Sequence, residues 1–184
     1  MDLHAWITQQ VDEVEARAKA ATQGPWEGVV DHHQRGVVDA SVWSDTLGHY
    51  ITEKISSGER HEADAHHIGA NSPDVVLRRC ETDRRILARH TLDPDVTYEP
   101  ACKGCGTYGD YGLSNVDNLN DCPELLDLAH AHGLTDETLG GLDRPQPPEP
   151  TPAQKRRLRE RARLTVPITT SDVPEALRGP RWKP

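Results

Sequence analysis

The sequence predicts an α+β protein: an N-terminal helix, a small antiparallel β-hairpin or sheet, further helices, a zinc-knuckle loop and an extended C-terminal tail. Three observations predict it. Apolar residues recur at helical spacing over residues 2–21, two short Val-rich runs flank "HQRG", and three of the four cysteines fall between residues 102 and 122. Composition sets the scale. Only 35% of the 184 residues are hydrophobic, Phe is absent, and Gly and Pro number 14 each. That is a thin supply for a core, so part of the chain is expected outside it. A small core of this kind is expected to need a metal staple.

Leu3, Trp6, Ile7, Val11, Val14 and Ala18 share one face of the first helix, with Glu13, Glu15, Arg17 and Lys19 turned away. "TQGPW" ends it, with Gly24 as the stop and Pro25 unable to continue. Trp26 then re-enters the core as an anchor. "EGVVDHH" and "GVVDASVW" read as a hairpin over 27–33 and 36–43, and "HYITEKI" as a weaker third strand over 49–55. Residues 61–90 are helical in two pieces. The break falls at "ANSPD", where Ser72 can cap and Pro73 suits the first helical position. Val76, Leu77, Cys80, Ile86 and Leu87 form the apolar stripe of the second piece. A loop over 91–122 leads to a last body helix, "PELLDLAHAHGL", from Pro123 to Gly133.

Five prolines in "DRPQPPEPTPA" make residues 143–153 a semi-rigid linker between a body, 1–142, and a basic helix with an extended tail, 154–184. Charge follows the same division. Residues 151–184 hold nine Lys/Arg against three acids, a net +6. The whole chain is -9, so residues 1–150 carry -15. The acidic body repels nucleic acid at long range. Lys155, Arg156, Arg157, Arg159, Arg161 and Arg163 are the candidate contacts for a protein partner or for nucleic-acid phosphates. They fall on several helix faces without interleaved aromatics, which suits backbone contact better than base reading. No apolar run is long enough for a membrane span, and residues 1–21 lack the apolar core of an export signal. The expected setting is therefore cytoplasmic and reducing, which favours metal or thiol chemistry over disulfides.

"CKGCG" places Cys102 and Cys105 at the spacing that binds one metal from a tight turn, and Gly106 permits the backbone that turn needs. Cys122, just before a helix, is the third ligand. Cys80, His90, His130 and His132 compete to be the fourth. Cys80 and His90 share one helix ten residues apart, ~15 Å at the helical rise, so both cannot bind one ion. Cys80 lies on the apolar stripe and reads as core, while His130 and His132 lie two turns beyond Cys122. The assignment is a structural Zn2+ on His90, Cys102, Cys105 and Cys122. Free thiols or a redox pair are the competing readings. The glycines at 104, 106, 109 and 112 exclude the helix that a thioredoxin-like pair precedes.

"HEADAHH" misses the zinc-protease motif. His61 and His66 are five residues apart, about 140° round a helix. No phosphate loop, dinucleotide fingerprint or nucleophile elbow is present. A hydrolase-like enzyme would have to use His32, His33, His61 or His66 in a cleft.

"ATQGPW", the Val-rich hairpin and "DAHHIGANSPDVVLRR" resemble a pattern of small actinobacterial and actinophage proteins. Its usual form is A-T-P-G-P-W, a hairpin, then an acidic-Ala pair before I-A-x-x-x-P-x-x-V-L. "CETDRRILARH", "CKGC" and "DCPELLDLA" are similar to one uncharacterised branch, in which a helix ending in His precedes Cys-x-x-Cys and Cys-Pro. The resemblance covers residues 1–132. Gln23 and Gly69 depart from it, and the loop from Cys105 to Cys122 is long. It implies an accessory binding protein more than an enzyme. The expectation is a non-enzymatic, zinc-stabilised interaction protein, phage-encoded and directed at a host or phage macromolecule. A nucleic-acid-associated regulator using the tail is the second expectation, and the small hydrolase the third.

Overall fold

The first helix, α1, spans Leu3–Ala20. Asp2 starts it by accepting from the Ala5 N–H at 2.8 Å. Leu3, Ile7 and Val11 lie one turn apart and are fully buried. Each contributes roughly 1.5–3 kcal/mol by leaving water. The helix ends at Ala20, where Ala21 turns extended. Gly24, the expected stop, lies beyond that point and plays no part in the ending. Trp26 is half-buried and its indole N–H donates to the Thr22 carbonyl at 2.9 Å, so it anchors the turn.

This computed structural model describes residues 1–32, 38–55, 60–110 and 112–164. The chain divides into two compact units, Met1–Pro147 and Pro148–Pro184. In the first, strands β1 (Trp26–His32), β2 (Val38–Ser44) and β3 (His49–Ile55) form an antiparallel sheet in sequential order. Val30 faces Ala40 and Gly28 faces Val42 across the first pair. The expected third strand is present, and the expected start of the second strand at 36 lies outside the described residues.

Helix α2 (His61–Ala70) packs on β1 and β2. Its approach is backbone to backbone. A methyl group on Gly28 would stand 2.6 Å from the Ala65 carbonyl carbon, and one on Gly69 would stand 2.8 Å from the Gly28 nitrogen. Only small residues permit that spacing.

Helix α3 (Pro73–Arg89) follows the break expected at "ANSPD". Ser72 occupies the cap position, but its hydroxyl donates to the Asp74 carboxylate and caps no backbone amide. Its carbonyl instead accepts the Val75 and Val76 N–H groups. Cys80 and Leu87 are buried, as the apolar stripe requires.

Residues 91–122 are more ordered than a plain loop. Two-residue strands β4 (Thr107–Tyr108) and β5 (Leu113–Ser114) pair as a ribbon, and short 3-10 turns occupy Lys103–Cys105 and Leu119–Asp121. Helix α4 (Pro123–Ala131) ends before Gly133, whose φ of +86° suits glycine. A further short helix, α5 (Asp136–Gly140), capped by Thr135, was not expected from the sequence.

Helices α1, α3 and α4 pack on one another around Leu3, Ile7, Val11, Cys80, Leu87 and Leu125. Cys102, Leu119 and Cys122 extend this cluster into the loop. Asn120, itself buried, accepts from the Leu3 N–H and donates to the Asp143 carbonyl, both at 3.0 Å. It ties the start of α1 to the loop before α4.

In the second unit, α6 covers Pro152–Leu164. Thr151 and Gln154 form a reciprocal cap: the Gln154 N–H donates to Thr151 Oγ1 at 3.3 Å and the Thr151 N–H to Gln154 Oε1 at 2.7 Å. Lys155, Arg156, Arg157 and Arg159 are exposed. The side chains of Arg161 and Arg163, and residues 165–184 with their expected extended tail, lie outside the described residues. Among the described residues, no helix is long and apolar enough to cross a membrane.

Candidate metal centre

Three segments deliver four donor atoms to one point. His90 is the residue that ends α3, and burial leaves it 7% exposed. Cys102 and Cys105 flank the tight turn of the knuckle, and Cys122 is the cap residue of α4. His90 Nδ1 lies 3.5 Å from Cys102 Sγ, 3.9 Å from Cys105 Sγ and 3.3 Å from Cys122 Sγ. Cys105 Sγ and Cys122 Sγ are 3.5 Å apart, far beyond a disulfide bond. All four ligand atoms lie within 4.8 Å of one another, and the group could hold a metal ion.

Residues 1–132 match a family described as "Family of unknown function (DUF6221)". The chain belongs to this family. No curated protein and no solved structure matches the chain. The DUF6221 segment contains all four donors and closes just past α4.

Backbone hydrogen bonds tie together the segments that carry the four candidate donors of the DUF6221 segment. Lys103 N–H donates to the Thr91 carbonyl at 2.9 Å, which pins the knuckle to the residue after His90. Cys102 N–H donates to the Val116 carbonyl at 3.3 Å, and Leu119 N–H to the Pro100 carbonyl at 2.8 Å. Asn115 Nδ2 donates to the Cys105 carbonyl at 2.8 Å. Gly106 has a φ of +69°, as the turn was expected to need. Gly104 has a second reason to be glycine. A methyl group there would lie 2.6 Å from His90 Nδ1, inside the imidazole.

The four candidates for the last ligand separate cleanly. His90 joins the sulfurs. Cys80 is buried in the helical core, outside the cluster. His132 pairs with Asp83 at 3.0 Å, and His130 is exposed. Cys80 lines a cavity with Asp83 and His132, but burial and the nearby Asp83 charge push its thiol up. That is the reverse of the activation a nucleophilic cysteine needs. Of the histidines offered for a hydrolase, His32 and His66 are exposed, and His33 lies outside the described residues.

The sulfurs are reluctant acids without a cation. Burial pushes the Cys122 thiol up to about 11, with the Leu125 backbone amide working against it. Burial, then the neighbouring Cys122 and Cys102 thiols, push Cys105 well above the ordinary range. A bound cation inverts this preference by favouring thiolate.

Sequence reasoning missed Glu124. Its Oε2 lies 3.4 Å from Cys122 Sγ, 3.6 Å from Cys105 Sγ and 4.0 Å from His90 Nδ1. Its own backbone N–H and the Cys122 thiol hold the carboxyl below its usual range. The signal was available as "CPE", an acid in the first turn of the helix that Cys122 caps.

Proposed function

We propose that this protein is a non-enzymatic interaction module whose body is stapled by a structural zinc ion. The convergence of one buried imidazole and three thiols carries the reading. Zinc with sulfur at ~2.3 Å and nitrogen at ~2.0–2.1 Å would separate tetrahedral ligands by ~3.8 Å (S to S) and ~3.6 Å (S to N). The His90–sulfur distances of 3.3–3.9 Å and the Cys105–Cys122 distance of 3.5 Å fit those edges. Four protein donors close the coordination shell, which supports a structural role over a catalytic one.

The partner-binding half of the proposal rests on surface chemistry. Tyr98, Tyr108 and Leu113 are 62%, 56% and 45% exposed, the latter two as a cross-strand pair on the knuckle ribbon. Lys155, Arg156, Arg157 and Arg159 add an exposed basic helix. The partner is a protein of a host or a phage, met in a reducing cytoplasm. The motif order of the first 132 residues supports an accessory role in actinobacteria and their phages.

Elemental analysis of the purified chain tests the staple. About one zinc per chain is expected, lost in Cys102→Ser together with the order of residues 91–122. Metal-free protein with reactive thiols would overturn it. Removing residues 143–184 should abolish partner capture and leave the body folded. The exposed basic helix favours one second reading, nucleic-acid binding through its phosphates. That reading requires affinity to fall steeply with salt, and a flat response ends it.

A further inference from the structure

The three sulfurs of the candidate metal centre differ in their surroundings. Cys102 and Cys122 are 1% and 0% exposed, whereas Cys105 is only partly buried. A groove of about 420 Å3 between α3 and α4 leads towards it. Ile86, Arg89, His90 and Glu124 line that groove, and the Glu124 carboxylate is 3.6 Å from Cys105 Sγ. A small peroxide has room to enter.

Reactivity follows the same order. The Leu125 backbone amide hydrogen-bonds to the Cys122 sulfur, whereas the chief influences on Cys105 are burial and the other two thiols. An amide hydrogen bond stabilises a thiolate and makes it a weaker nucleophile. Cys105 is the more exposed and the more nucleophilic of the two. Their sulfurs are 3.5 Å apart. A disulfide needs ~2.05 Å, so the pair must close by ~1.5 Å, a movement of the size that side-chain rotation gives. Cys80, the remaining thiol, is 2% exposed in the helical core and outside the group.

We propose that Cys105 is an oxidation site, through which a peroxide converts the metal-bound group into a Cys105–Cys122 disulfide and releases the ion. The inference rests on the metal site proposed above. The ion keeps both sulfurs as thiolates, the nucleophilic form. In the first step the Cys105 thiolate attacks a peroxide oxygen. An S–O bond forms, the O–O bond breaks and hydroxide leaves, so sulfur is oxidised by two electrons and peroxide is reduced. In the second step the Cys122 thiolate attacks the Cys105 sulfenic acid. The S–S bond forms, the S–O bond breaks and a second hydroxide leaves. Solvent protonates both hydroxides.

His90 and Cys102 then remain, too few donors for a structural zinc shell. The ion had joined three segments: the end of α3, the knuckle and the start of α4. The disulfide joins only the last two. Oxidation therefore releases the end of α3 from the metal while residues 106–121 stay closed at both ends.

The test titrates the full-length, zinc-loaded chain with hydrogen peroxide. Released zinc is read with a chromophoric chelator, and thiols are mapped by alkylation and mass spectrometry. About one zinc should appear per peroxide consumed, with a Cys105–Cys122 disulfide and with Cys80 and Cys102 still open to alkylation. Dithiothreitol with fresh zinc should restore the starting state. Cys80→Ser should leave the release rate unchanged. Cys105→His keeps a fourth donor but removes the thiolate, and should slow release by about 10-fold or more. If that variant holds no zinc, the wild-type disulfide map decides the question alone. A first disulfide between Cys102 and Cys105, or zinc retained under excess peroxide, overturns the oxidation site and leaves the staple standing. A wild type that binds no zinc overturns both.

Discussion

Where α2 meets the sheet, Gly28 and Gly69 bring two backbones into direct contact over small buried residues, Ala40, Val42 and Ala65. Where α3 and α4 meet residues 91–122, an imidazole and three sulfurs converge instead. At the first junction a methyl group on either glycine would meet backbone atoms at 2.6–2.8 Å. The second has few apolar groups of its own: Val96, Ala101 and Leu119 are its buried hydrophobics besides the cysteines. A chain with no Phe has closed one face by close approach and the other around one imidazole and three thiols that could hold a metal ion. The difference teaches that the two faces should fail separately.

Metal removal gives the largest effect. A ligand present at a thousand times its dissociation constant adds about 4 kcal/mol, so chelation should lower Tm by about 10 °C. Hydrogen exchange should locate the damage. Amides of residues 91–122 are expected to lose protection first, with β1, β2 and α2 protected longer. Uniform loss across both regions would break the comparison.

The reciprocal experiment uses the glycines. Gly28→Val should cost about 3 kcal/mol or more, because its Cβ would meet the Ala65 and His66 backbone, and leave metal content unchanged. Gly104→Ala should do the opposite. Its methyl group meets His90 Nδ1, and metal affinity should fall roughly 10–100-fold with the sheet intact. Metal titration and urea unfolding of the two variants sharpen the contrast, and equal metal loss in both would sink it.

A smaller effect is set by pH. Burial raises the Cys122 thiol from 9.0 to about 11 in the metal-free protein. A raised folded value stabilises the protonated form below pH 9, and that contribution disappears as pH climbs towards 11. The metal-loaded site already holds thiolate and gains no such penalty. The Tm gap between metal-loaded and metal-free protein should therefore widen over this window. A constant gap would show that the sulfurs are not the ligands.

The smallest effect lies on the α1–α3 surface. Arg84 on α3 bonds both Asp12 and Glu15 on α1, and Lys19 also contacts Glu15. Lys19 and Arg84 hold the Glu15 carboxyl at about 2. Its stabilising contribution is complete above the ordinary carboxylate range and lost as pH falls through about 2. Glu15→Gln should lower Tm slightly at pH 7 and not at all near pH 2, without touching metal content. A pH-independent difference would assign the effect to packing.

The regular elements were legible because their signals are local. The 3.6-residue period of Leu3, Ile7 and Val11 marks α1 wherever the helix packs, and Pro73 and Pro123 mark helix starts by their fixed φ. What escaped had no period to show. Strands of two residues, β4 and β5, are too short to alternate, and α5 is five residues long. Ser72 looked like a capping side chain, but its hydroxyl donates to the Asp74 carboxylate and accepts from no helix amide.

Sequence alone determined the order of the longer helices and strands and singled out His90, Cys102, Cys105 and Cys122 as one group that could hold a metal ion. Each follows from spacing along one element. Tertiary structure alone decided that the four ligand atoms lie within 4.8 Å of one another, that Gly104 lies under the His90 ring, and that Glu124 comes within 4.0 Å of His90, Cys105 and Cys122. His90 meets its sulfurs across 12, 15 and 32 residues of chain. Over such separations the meeting point is set by how α3, the knuckle and α4 pack, and no local pattern encodes that.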